Sequence, residues 1–173
     1  GGVAAIPTET VYGLAAAVDC PEAVARVFEL KARPRFDPLI VHAADVGMAR
    51  ACASVWTDAA AALADAFWPG PLTLVAPKAP DIPPIVTAGL DTVALRVPAH
   101  PLTLDVIRRT GRPVAAPSAN PFGGISPTRA EHVRAAFGEA VPVLDGGPCE
   151  GGVESTTVSG AGDRPAILRC CGT

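Results

Sequence analysis

The chain has 173 residues, a formal net charge of −3, 49% hydrophobic residues and 18% charged ones. That length suffices for one domain with a sizeable core. The balance excludes a disordered chain and shows no global signature of nucleic-acid or membrane binding.

In chain order, residues 3–6 read as a strand that stops at Pro7. Residues 21–31 read as a helix, with Pro21 in the first turn and Ala23, Val24, Val27, Phe28 and Leu30 forming an apolar stripe. A short strand over 39–42 precedes two helices over 46–54 and 58–67, the second capped by Thr57. Strands follow over 72–76 and 93–97, then a helix over 101–109 ended by Gly111 and a strand over 113–116 cut off by Pro117. A helix over 128–137 stops at Gly138, and short strands are expected over 141–144, 156–159 and 166–168. This alternation predicts an α/β domain, with no repeat and no linker dividing it.

Cys20, Cys52, Cys149, Cys170 and Cys171 form no CxxC pair and no metal-ligand spacing with His42, His100 and His132. Reduced cysteines and no protein metal site are the expectation. No apolar run approaches the roughly 18 residues of a membrane span, and no signal peptide precedes the first strand, so a cytoplasmic protein is expected. The phosphate-binding loop, the dinucleotide fingerprint and the nucleophile elbow are all absent. His100 reads as a helix-start residue, and His132 as a surface position on a helix.

Polar residues gather where the apolar runs end. Thr8, Glu9, Thr10 and the single tyrosine, Tyr12, follow the first strand, where Tyr12 is expected to form a cleft wall. Lys31, Arg33 and Arg35 follow the first helix. Ser118, Asn120, Ser126 and Thr128 follow the strand near Val114, and Glu154, Ser155 and Thr156 follow a glycine-rich turn. Open α/β sheets bind ligands at such strand ends, and clustered arginine and lysine suit a polyphosphate. Arg96 alternates with apolar residues on its strand, so it is expected to face inward and to need an anion, either a protein or a substrate carboxylate.

The segments GGVAAIPTETVYGLA, KARPRFDPLIVH, WPGPLTLV, VALRVPAHP, APSANPFGGISPT, VESTTV and AILR, in this order, resemble the YrdC-like family of L-threonylcarbamoyladenylate synthases. The resemblance spans residues 1–169 and implies one YrdC-like domain over 1–173, without the helix that usually precedes the first strand. It implies a twisted mixed sheet flanked by helices, with a concave ligand cleft. It also implies a nucleotidyltransferase reaction in which L-threonine, bicarbonate and ATP give threonylcarbamoyl-AMP and pyrophosphate, for N6-threonylcarbamoyladenosine in tRNA.

The positions matching the family's L-threonine site are Thr10, His42, Arg96, Ala116 (through its backbone) and Ser155. Those matching its ATP site are Arg33, Asp37, Thr92, Ser118, Ser126 and Arg169. Lys31 matches the lysine beside the phosphates, so Lys31 and Arg33 carry the expected catalytic role. Mg2+ would be held mainly by ATP phosphates, with tRNA and a downstream threonylcarbamoyl transferase complex as further partners and no membrane. Asp37 stands where the family commonly has asparagine, and Cys170-Cys171 stand where Pro-Gly usually follows Arg169. Two other readings are a carbamoyl-adenylate-forming domain of a carbamoyltransferase and a non-catalytic RNA-binding module.

Overall fold

Strands and helices alternate through residues 2–162 and 164–171, the part of the chain described by a computed structural model. In order these are β1 (Ala4–Ile6), β2 (Gly13–Ala17), α1 (Pro21–Lys31), β3 (Ile40–His42), α2 (Val46–Ala51) and α3 (Asp58–Phe67). They continue with β4 (Leu72–Pro77), α4 (Pro84–Thr87), β5 (Thr92–Arg96), α5 (Pro101–Thr110) and β6 (Val114–Ala115). Last come α6 (Ala130–Phe137), β7 (Thr156–Ser159) and β8 (Ala166–Arg169). Among the described residues no helix is long and apolar enough to cross a membrane.

Local chemistry sets most helix boundaries. Thr57 Oγ1 accepts from Ala60 N at the start of α3, at 3.1 Å. The His100 side chain caps α5, and Gly111, at φ 65°, closes it in the left-handed region that glycine tolerates. The expected helix over 46–54 stops at Ala51, because Ala53 bridges Lys78 and Ser54 N donates to Pro77 O. Pairing to the end of β4 satisfies those amides outside the helix. Likewise, residues 141–144 form no named strand. Val143 makes an isolated bridge to Ala5, while Ala5 N donates to Pro142 O and Leu144 N to Ala5 O. The sequence pattern points to none of three elements: β2, whose GLAAA lacks β-branched residues, the four-residue α4, and the 3-10 turn Gly138–Ala140.

All eight strands belong to one mixed sheet, ordered β1-β2-β6-β3-β5-β4-β7-β8. The β3–β5 and β4–β7 pairs are parallel and the others antiparallel. Strand side chains alternate between faces, so the register decides what each face carries. Val41, Leu72, Leu74, Val93, Leu95 and Val158 turn one way into the main core, with Val24, Val27 and Phe28 of α1. Ile40, His42, Thr73, Val75, Ala94 and Arg96 turn the other way, at the centre of the sheet, where no helix covers them and a cavity opens. The position of the site follows from this alternation.

Candidate active site

The cavity has a volume of about 460 Å3. Small-molecule sites span roughly 300–1,000 Å3, so it has room for an amino acid beside a nucleotide. Parallel pairing sets His42 beside Arg96, while the β4–β7 register sets Thr73 beside Thr157, two residues past Ser155. The β1–β2 connection adds Thr10, the segment after α1 adds Arg33 and Asp37, and the segment after β6 adds Ala116 and Ser118. Thr92 and Arg169 complete the set of sequence-derived positions that line this cavity.

Arg96 is 3% exposed, and its guanidinium is already held on three sides. Its Nε donates to Gly70 O at 3.2 Å, and its Nη2 donates to Glu9 Oε1 at 2.7 Å and Thr10 Oγ1 at 3.0 Å. Glu9 Oε2 also accepts from Ala99 N at 3.0 Å. The anion demanded by a buried arginine is therefore supplied by protein. Nη1 has no protein partner among the described residues, so that edge is the one that can meet a ligand.

Thr10 is polarised as well. Thr8 Oγ1 donates to Val11 O at 2.6 Å, so in the 2.8 Å contact between the two hydroxyls Thr10 is the donor. Thr10 thus accepts from Arg96 and offers a ligand only a lone pair. Burial, reinforced by the Arg96 charge, lowers the His42 pKa from 6.5 to about 3, so the ring is neutral at physiological pH. Its Nδ1 lies 3.2 Å from Ile40 O, which places the proton on Nδ1 and leaves Nε2 as an acceptor. Ala116 N donates to Ile40 O at 2.9 Å, so its carbonyl is the backbone group left to offer.

Arg33 sits in its own loop's grip. Its Nε donates to Asp37 O at 3.3 Å and its Nη2 to Pro38 O at 3.1 Å, with Asp37 Oδ2 at 2.8 Å from Nη2. Arg169 donates through Nε and Nη2 to Ser155 O at 3.2 and 3.0 Å. Beyond it, Thr156 Oγ1 donates to Cys171 O at 2.9 Å and accepts from Cys171 N at 3.2 Å, which ties down the Cys170-Cys171 turn. All five cysteines are unbridged.

Three expected positions stand elsewhere. Lys31 is 1% exposed and is not among the lining residues. Its ammonium donates to Ser118 O at 2.5 Å and to Asn120 O, so it clamps the loop that carries Ser118. Ser126 is also outside the lining, with its hydroxyl donated to Glu154 Oε1, and the Glu154 carboxylate faces the cavity instead. That hydrogen bond is the chief cause of a lowered Glu154 pKa. Tyr12 is not a cleft wall. It is fully buried, donating to Gly147 O at 2.7 Å and accepting from Gly146 N at 3.2 Å, while its neighbours Val11 and Gly13 line the cavity. Gly146 is required there, since a Cβ would stand 2.6 Å from Pro7 Cγ and 2.7 Å from His100 Cε1.

Burial, then the Arg33 charge, lowers the Lys31 pKa from 10.5 to about 8 against an opposing effect of Asp37. The folded chain is the weaker proton binder at this site, so the ammonium destabilises the fold in full below about pH 8. The penalty fades as pH rises towards 10.5. Urea unfolding is expected to show the parent gaining stability relative to Lys31→Met between about pH 7.5 and 9.5. A constant difference would place the lysine pKa outside that window.

Thr8 and Glu154, which stand among the polar residues at strand ends, line the cavity, as do Thr73 and Thr157, strand positions that no local sequence signal marks.

The profile of the Sua5/YciO/YrdC family, described as telomere recombination, matches residues 1–171. The chain belongs to the Sua5/YciO/YrdC family. Curated family members include the threonylcarbamoyl-AMP synthase of Bacillus subtilis, 50% identical over 96% of this chain and 49% of its own length. That of Pyrococcus abyssi is 48% identical over 98% of this chain and 50% of its own. The chain spans about half the length of these relatives. A solved structure of P. abyssi Sua5 complexed with L-threonine superimposes with a TM-score of 0.95 at 47% identity, covering 97% of this chain and 50% of that one.

Proposed function

We propose that the cavity makes threonylcarbamoyl-AMP from L-threonine, bicarbonate and ATP, releasing pyrophosphate. The observation that carries this reading is the sorted polarity of one wall. Thr10 and His42 Nε2 present lone pairs, suited to an ammonium and a hydroxyl, while the free edge of Arg96 presents N–H groups suited to a carboxylate. That pattern complements a hydroxy amino acid. Arg33 and Arg169, which line the same cavity, supply charge for a triphosphate. The names of the relatives and the L-threonine complex of P. abyssi Sua5 support the same assignment.

In the reaction, the threonine ammonium gives one proton to solvent, and the free amine adds to the carbon of bicarbonate with loss of water to give a carbamate. A carbamate oxygen then attacks the α-phosphorus, and pyrophosphate departs. The protein's part is to position the reactants and to stabilise charge on the phosphates. Among the described residues no three His, Cys, Asp or Glu side chains stand together as a metal site. Asp37 and Glu154, each on the cavity wall, fit only the mode in which Mg2+ arrives on phosphate oxygens and borrows one carboxylate. When bound, it would neutralise phosphate charge. The product is a reactive mixed anhydride, so a tRNA-modifying transferase in the same compartment, the cytoplasm, is its expected consumer.

Pyrophosphate release tests this directly, with ATP, bicarbonate and each candidate amino acid in turn. Threonine- and bicarbonate-dependent release supports the reading. Release that needs carbamoyl phosphate and ignores threonine overturns it. Asp37→Asn provides a second measurement. The amide keeps a hydrogen bond to Arg33 but removes a negative charge from the triphosphate's side, so the KM for ATP is expected to fall about threefold to tenfold. A rise instead would mark Asp37 as the carboxylate that Mg2+ borrows.

A further inference from the structure

Thr73 lies in β4 with its side chain on the cavity face, fully buried beneath the wall. Its Oγ1 stands 2.7 Å from Ser155 Oγ, and among the described residues it has no other hydrogen-bond partner. A hydroxyl carries one proton, and a buried donor without an acceptor is costly. The Thr73 proton therefore goes to Ser155 Oγ. Arg169 Nη2 approaches the same oxygen at 3.4 Å, and a guanidinium can only donate. Both lone pairs of Ser155 Oγ are then occupied, and what remains is its own proton, with the cavity as the open direction.

We propose that Thr73, together with Arg169, turns Ser155 into a hydrogen-bond donor aimed into the cavity. This wall position then takes an oxygen of the bound amino acid, its carboxylate or the carbamate made from its amine, and rejects its ammonium. Thr73 is a positioning residue acting through Ser155. The assignment rests on the threonine reading of the site, and it complements that reading: acceptors at Thr10 and His42 face the ammonium and the hydroxyl, and donors at Arg96 and Ser155 face the carboxyl oxygens.

Two substitutions separate the hydroxyl from the shape. Thr73→Val keeps the branched outline and removes the proton; Thr73→Ser keeps the proton and removes the methyl group. L-Threonine binding is measured by calorimetry without ATP or bicarbonate, and pyrophosphate release is measured with both, alongside thermal melts. Thr73→Val is expected to weaken L-threonine about tenfold, as loss of a hydrogen bond to a charged group would, and Thr73→Ser to restore most of it. In a Ser155→Ala background Thr73→Val should add nothing further. A loss in binary binding assigns the oxygen to the carboxylate. A loss confined to bicarbonate-dependent turnover assigns it to the carbamate.

Equal losses in the valine and serine variants would overturn the proposal, as would no loss in either, or a valine effect that persists without Ser155. A parent protein that neither binds L-threonine nor turns it over overturns the synthase reading as well. A parent that does both while Thr73→Val is unaffected overturns only the role of Thr73.

Discussion

Arg96→Ala is expected to weaken L-threonine about 100-fold or more while leaving ATP affinity within about threefold, since removing one member of a buried, hydrogen-bonded charge pair costs about 2–5 kcal/mol. The substitution does two things at once. It removes the N–H edge that faces the cavity, and it strands Glu9, whose Oε1 lies 2.7 Å from the lost guanidinium. The second effect falls on folding, and an uncompensated buried charge costs about 3–5 kcal/mol. The double variant Glu9→Gln, Arg96→Met separates them. It should recover most of the thermal stability that Arg96→Ala loses and none of the L-threonine binding. If binding returned with stability, Arg96 would be a scaffold residue, and the carboxylate would have to be held elsewhere.

Arg33→Ala is expected to do the reverse. It should raise the KM for ATP about 10-fold to 100-fold and leave L-threonine binding within about twofold. Loss of the cation also releases Asp37, at 2.8 Å, as an unpaired negative charge on the triphosphate's side, so part of the effect is new repulsion. Arg33→Ala with Asp37→Asn should therefore bind ATP better than Arg33→Ala alone. The pair is partly exposed, and its worth to folding is correspondingly small, so stability should change little. Steady-state kinetics with each substrate varied in turn reads both variants. Equal losses toward ATP and L-threonine in either variant would contradict the division of the cavity between the two arginines.

Most of the fold was legible because it depends on neighbours along the chain. The starts of α1 and α3 follow from Pro21 and from the Thr57 cap. Where nothing local spoke, as in the alanine-rich β2, pairing with β1 and β6 supplied the strand. The site was legible as a set of loops, because polar residues collect where strands stop. Thr10, His42, Arg96, Ala116 and Ser155 do meet at one cavity, as do Arg33, Asp37, Thr92, Ser118 and Arg169. Lys31 and Ser126 share those loops but turn to Ser118 O, Asn120 O and Glu154 instead. Proximity in sequence to a binding loop does not say which way a side chain turns.

By itself, then, the amino-acid order determined most of the segments that become helix and strand, and that cations and hydroxyls would collect at strand ends. Only the tertiary structure decided the partners: Glu9 for Arg96 across 87 residues, Thr73 for Ser155 across 82, and the Ser118 carbonyl for Lys31 across 87. Hydrogen bonds depend on which groups meet, and that is set here by strand order; the alternation within a strand says which face a side chain takes but not which strand lies beside it.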